Sequence, residues 1–184
     1  MLRVTDTEKL ICDKLIEMMR MTPFYRIKVS HLVENAQIAR STFYLYFDSI
    51  FAVVQKIEDD FIDGMLVADI EGSRTFNEAA VCDAISANIA HLKTNIDVVR
   101  ALMGDNGDPA FQARLINRSR RLMKERFPSL SDFSDIEKRL TFEYFIAGQW
   151  SMVKWWVFNE DVISEKDFCL LVGKLICQMF NNLL

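Results

Sequence analysis

The 184 residues are 51% hydrophobic and carry a net charge of −4, which is too apolar for a disordered chain and enough for one buried core or two small ones. No apolar run reaches the roughly 18 residues of a membrane span and Met1–Thr7 has no signal-peptide pattern, so a cytoplasmic protein with no membrane partner is expected. Six glycines and three prolines, falling between periodic segments, point to an all-α chain.

Thr5-Asp6-Thr7-Glu8 reads as a capping box, followed by Leu10, Ile11, Leu15, Met18 and Met19 at helical spacing; this first helix should end near Thr22-Pro23. Phe24, Tyr25 and Ile27 lead into Lys28–Phe47, which reads as two short helices joined by a tight turn. In the first of these, Val29, Leu32, Val33 and Ala36 share an apolar face while Ser30, His31 and Glu34 look outward. In the second, Arg40–Phe47, Phe43 and Phe47 are four apart on the buried side. Arg40, Ser41, Thr42, Tyr44 and Tyr46 remain on the outer side, with Leu45 an apolar residue in an exposed slot. One guanidinium, two hydroxyls and two phenols on a free helix face suit phosphates and base edges.

On these residues the stretch resembles the DNA-binding end of the tetracycline-repressor-like (TetR) family of bacterial transcriptional regulators. The run Arg40-Ser41-Thr42-Phe43-Tyr44-Leu45-Tyr46-Phe47 follows that family's recognition helix. Three positions depart from it. Gln37 stands where glycine would relieve a positive φ, Ala39 where serine would cap the helix, and Ile50 where the family often places a phosphate-binding lysine. The resemblance implies that Arg40 and Ser41 approach base edges while Thr42, Tyr44 and Tyr46 hold phosphates. Leu45 can touch a thymine methyl, and Ser30 and His31 can contact the backbone.

Beyond the turn, Asp48 is a candidate cap for a fourth helix carrying Phe51, Val54, Ile57, Phe61 and Met65 to about Ile70. Glu71-Gly72-Ser73 breaks the pattern, and a second capping box, Thr75–Glu78, opens a helix to Lys93. Asn95–Met103 reads as a short helix closed by Gly104. Asp108 should cap the next helix, with Pro109 its first residue and Phe127 its end. Ser134–Glu137 is a third box. From Leu140 to Phe158 nearly every side is apolar, and Ser164 opens a last helix with a wide apolar stripe. Such helices call for a partner, most simply a second copy packed about a twofold axis. Trp155, Phe168, Val172, Leu175, Ile176 and Met179 are the expected interface. The segment YFIAGQWSMVKWW also resembles the eighth helix in one branch of the family, with Gln149 where glycine is common.

The expected division is a helix-turn-helix head, 1–47, and an effector-binding and dimerisation body, 48–184, in about nine helices. Up to Phe47 the chain has seven Lys/Arg against five acids, so the head is +2 and the rest −6; a basic tip on an acidic body favours a local, oriented contact with a polyanion. The expected function is a homodimeric, sequence-specific regulator, a ligand-responsive repressor binding a near-palindromic double-stranded DNA operator. A small apolar effector would sit among Met65, Met103, Phe111, Leu115, Phe145 and Trp150, although plain core packing explains each of these singly. The alternative is a helical protein-interaction module with little DNA affinity. No HExxH, EF-hand, GxGxxG or Walker pattern occurs, and Cys12, Cys82, Cys169 and Cys177 form no CxxC, so they read as buried reduced thiols. No metal, cofactor or enzymatic activity is expected. His91, alone on its helix, reads as structural.

Overall fold

The computed structural model describes residues 4–64, 78–126 and 136–183. Within them the chain is all-α, with nine α-helices, a 3₁₀ turn and no strand. The helices are α1 (Val4–Met19), α2 (Val29–Asn35), α3 (Arg40–Tyr44), α4 (Ile50–Asp63), α5 (Glu78–Thr94), α6 (Ile96–Met103), α7 (Phe111–Arg126), α8 (Ile136–Phe158) and α9 (Glu165–Leu183), with the 3₁₀ turn at Phe24–Arg26. They divide into two compact units, Met1–Asp63 with Asn95–Phe111, and Gly64–Thr94 with Gln112–Leu184. Met65, the breaker Glu71-Gly72-Ser73, most of the second and third capping boxes, and the expected extensions of α4 to Ile70 and α7 to Phe127 lie outside the described residues.

In the first unit, Ile11, Leu15 and Met19 form one buried stripe on α1, set by their i, i+4, i+8 spacing. Leu32 and Val33 of α2, Phe43 of α3, and Val53, Val54, Ile57 and Phe61 of α4 close the core. α6 adds Val99, Leu102 and Met103, and the Phe111 ring meets Phe61 edge-on at 6.1 Å. Burial of each such side chain stabilises by about 1.5–3 kcal/mol. The loop after α6 is tied to the first helices: Phe24 N–H donates to Asn106 O at 3.0 Å, and Asn106 Nδ2 donates to Arg20 O at 3.2 Å. An exposed ion pair, Arg20–Asp97 at 2.9 Å, lies alongside.

Three helix starts differ from the sequence expectation. α1 already includes Val4, so Thr5 lies inside the helix. α4 is capped by Ser49, whose Oγ accepts from Ala52 N–H at 3.2 Å; a cap must directly precede the first helical residue, and Asp48 is one position too early. α7 starts at Phe111, two residues after Pro109. Asp108 Oδ1 accepts from Ala110 N–H at 2.9 Å, and a single tight turn, Phe111 N–H to Asp108 O at 2.9 Å, precedes the helix.

In the second unit α5 lays Val81, Ile85, Ile89 and Leu92 against α9. The two run antiparallel, with Lys93 bonded to Glu165 at 2.7 Å and Cys82 Sγ reaching Cys169 O at 3.9 Å. Gly173 permits their close approach, because a Cβ there would stand 2.6 Å from Cys82 Sγ. Likewise a Cβ on Gly64 would stand 2.3 Å from the His91 ring, so the ring lies against the Gly64 backbone. Ser164 caps α9, accepting from Asp167 N–H at 3.1 Å and donating to Asp167 Oδ2 at 2.6 Å. Trp156 stacks on Phe168 at 5.3 Å and so joins α8 to α9. α7 is held to α8 by the two-pronged Arg120–Glu143 pair and by Trp150 Nε1–H to Ser119 Oγ at 2.9 Å. Cys12 and Cys82 are half-buried and Cys169 and Cys177 buried, all as thiols.

Candidate DNA-binding interface

α2 ends in a Schellman arrangement. Gln37 N–H donates to Glu34 O at 3.1 Å and Ile38 N–H to Val33 O at 3.0 Å, the two bonds that close a helix through one left-handed residue. That residue is Gln37, with φ 52°. The turn thus adopts the conformation anticipated from its register, with a side chain where glycine would be unstrained. Ala39 is the N-cap of α3 and provides no side-chain bond.

α3 is shorter than expected, Arg40–Tyr44. The chain then tightens, with Leu45 N–H to Thr42 O at 3.2 Å and Tyr46 N–H to Phe43 O at 3.0 Å. Phe47 N–H still reaches Phe43 O at 3.0 Å, so both aromatic anchors stay on one side. Phe43 is wholly buried, Phe47 nearly so, and their rings lie 6.1 Å apart.

The opposite side faces outward. Ser30, His31, Arg40, Ser41, Tyr44 and Leu45 are exposed, and Thr42 and Tyr46 are half-buried. Leu45, at 81% exposure, has no packing role to explain it. Arg40 Nη2 donates to Tyr44 Oη at 3.3 Å, and its guanidinium carbon lies 5.7 Å from the Tyr44 ring centre. The Tyr44 ring stands edge-on to Phe43 at 5.4 Å. A chain of contacts therefore runs from the buried anchor to the exposed cation. Sequence reading missed this pairing, although i, i+4 spacing signals it. Exposed Arg26 and Lys28 add two cations just before α2 in the chain, and Lys28 is its N-cap.

The residues named for an effector fall in both units. Met103 and Phe111 are buried in the first, Leu115 and Trp150 are buried and Phe145 half-buried in the second. Of the residues named for a dimer, Phe168, Val172 and Ile176 are spent on the second unit's own core. Trp155 and Leu175 are exposed and Met179 half-buried. The exposed apolar stripe on α8 instead runs through Leu140, Tyr144, Trp155 and Phe158, and Leu171 joins Leu175 on α9. Among the described residues no helix is long and apolar enough to cross a membrane.

A buried aromatic pair beneath an outward polar helix, entered through a tight turn from a second helix, defines a helix-turn-helix DNA-binding regulator. Residues 83–178 match the family profile described as the C-terminal region of TetR-type transcriptional regulators; the chain belongs to that family. Solved structures share the fold. The TetR transcriptional regulator from Streptococcus agalactiae 2603V is 18% identical with TM-score 0.65 over 94% of each chain. The dihydroxyacetone kinase operon activator DhaS is 19% identical with TM-score 0.62, over 96% of this chain and 97% of its own. A TetR-family regulator from Streptomyces coelicolor is 14% identical with TM-score 0.62, over 94% of this chain and 79% of its own. No curated protein matches the sequence.

Proposed function

We infer that the protein is a cytoplasmic, homodimeric regulator that binds a near-palindromic operator through the face made by Ser30, His31, Arg40, Ser41, Thr42, Tyr44, Leu45 and Tyr46. The observation that carries this reading is Arg40, exposed and oriented by Tyr44 above the buried Phe43. Arg40 and Ser41 read base edges, Leu45 meets a thymine methyl, and the hydroxyls and phenols hold phosphates, with Arg26 and Lys28 preceding them in the chain. The functional division is a head, 1–47, on a body, 48–184. Two heads, about 34–36 Å apart on successive major grooves, require two chains. Trp155, Leu171, Leu175 and Met179, with Tyr144 and Leu140, form the surface that pairs them.

The regulator acts as a repressor, released when a small apolar effector binds in the body beside Leu115, Phe145 and Trp150. Reciprocity then requires that operator DNA weaken effector binding by the same factor. The likeness to an operon activator over nearly the full length of both chains favours activation as the second reading. Selection of bound fragments from sheared genomic DNA of the source organism tests DNA reading: a short twofold-symmetric site should be enriched, and unselective retention would reject it. A reporter driven from that site then separates the signs, with output rising on deletion of a repressor and falling on deletion of an activator.

A further inference from the structure

Between α1, α4 and the start of α6, all within the first unit, the helices leave an open cleft of about 410 Å³, within the size range of small-ligand sites. Its floor is apolar, formed by Ile16, Ile57 and Phe61. Its rim is ionic. Lys9 pairs with Asp13 along α1 at 2.5 Å. Lys56 of α4 pairs with Asp60 at 2.5 Å and reaches Glu8 of α1 only at 3.6 Å. Lining carboxylates thus outnumber ammonium groups three to two, and Glu8 is the carboxylate held at the longest distance.

Cys12, half-buried in the wall, reports the field inside. Its thiol pKa is pushed up to about 12, chiefly by burial and next by Glu8; Asp60 and Asp13 add to the rise and Lys56 opposes it. The negative charges prevail at that wall. An anion entering the cleft would meet three carboxylates while both lysines are engaged. A neutral apolar molecule would gain the floor and nothing from the rim.

We propose that this cleft binds a small organic cation, its apolar body on Ile16, Ile57 and Phe61 and its ammonium group on Glu8. The site is separate from the body residues named for an effector and does not rest on the DNA reading.

The test is protection of the full chain from urea unfolding, read by circular dichroism, with hexylammonium chloride as the probe. At ten times its dissociation constant the probe should favour the folded state about tenfold, whereas equal concentrations of 1-hexanol should protect less and hexanoate not at all. Glu8→Gln should remove the protection while helical circular dichroism is retained. Lys56→Met, by deleting the competing ammonium, should strengthen it. These opposite directions exclude a general loosening of the fold. No protection by hexylammonium, equal protection by hexanol or hexanoate, protection that survives Glu8→Gln, or a Lys56→Met variant no better than the parent would each overturn the proposal.

Discussion

Gln37 holds a left-handed backbone conformation at φ 52° that costs a side-chain-bearing residue about 1–2 kcal/mol. Replacing it with glycine removes that strain but adds freedom to the unfolded chain, worth about 0.5–1 kcal/mol in the other direction. Gln37→Gly should therefore raise stability by about 0.5–1 kcal/mol in urea unfolding, whereas Gln37→Ala should not. Ile50 is the first residue of α4 and half-buried. If its slot faces phosphate, as the family resemblance implies, Ile50→Lys should tighten operator binding and steepen the dependence of log K on log salt by about 0.9 per head, or about 1.8 for the dimer. An unchanged slope would place that position away from the backbone. The turn was legible because Gln37 follows a helix of definite register. Ser49 was not separable from Asp48, since either can cap and only the backbone decides which directly precedes the helix.

At the scale of the helix, apolar spacing and cap signals together located every described α-helix, the 3₁₀ turn at Phe24–Arg26 was not foreseen, and the remaining errors fall at the ends. α3 closes after Tyr44 because its chain tightens there into shorter-range bonds, which no side-chain pattern announces. Helix pairing was hidden too. Gly173 sits inside an apolar stripe, and nothing in its neighbours says that Cys82 lies against it. Gly173→Ala gains about 1 kcal/mol of helix propensity, but the new methyl must displace Cys82 Sγ, 2.6 Å from it. Overpacking of this kind costs about 1–3 kcal/mol. A net loss of up to about 2 kcal/mol is expected, and Cys82→Ala in the same chain should recover it; a double-mutant cycle in thermal or urea unfolding measures that coupling.

For the whole molecule, the wide stripe of α9 divides into a buried and an exposed part that sequence could not apportion. Phe168, Val172 and Ile176 fill the second unit, and Leu171 and Leu175 stay exposed, as do Trp155 and Tyr144 of α8; these are the residues the proposed dimer would cover. Apolar periodicity reports that a face is covered, not by which chain. Leu171→Lys with Leu175→Lys should weaken pairing by at least about 2 kcal/mol, giving monomers in sedimentation at micromolar concentration with helicity retained. Persistent dimers would move the interface elsewhere. The family itself was legible in the head, where Arg40–Phe47 carries the resemblance, whereas the profile that establishes it covers the body at 83–178. Helical bodies built from interchangeable apolar residues leave little to recognise in one sequence.

The most direct measurement is the affinity of Arg40→Ala for the selected twofold-symmetric site, titrated beside the parent across a salt series. Arg40 is exposed and held by Tyr44, so its removal should leave the fold intact, cost about 1–3 kcal/mol of operator binding per half-site and relax preference at one base position in each. Unchanged affinity and unchanged base preference would contradict the assignment of this helix face to the duplex.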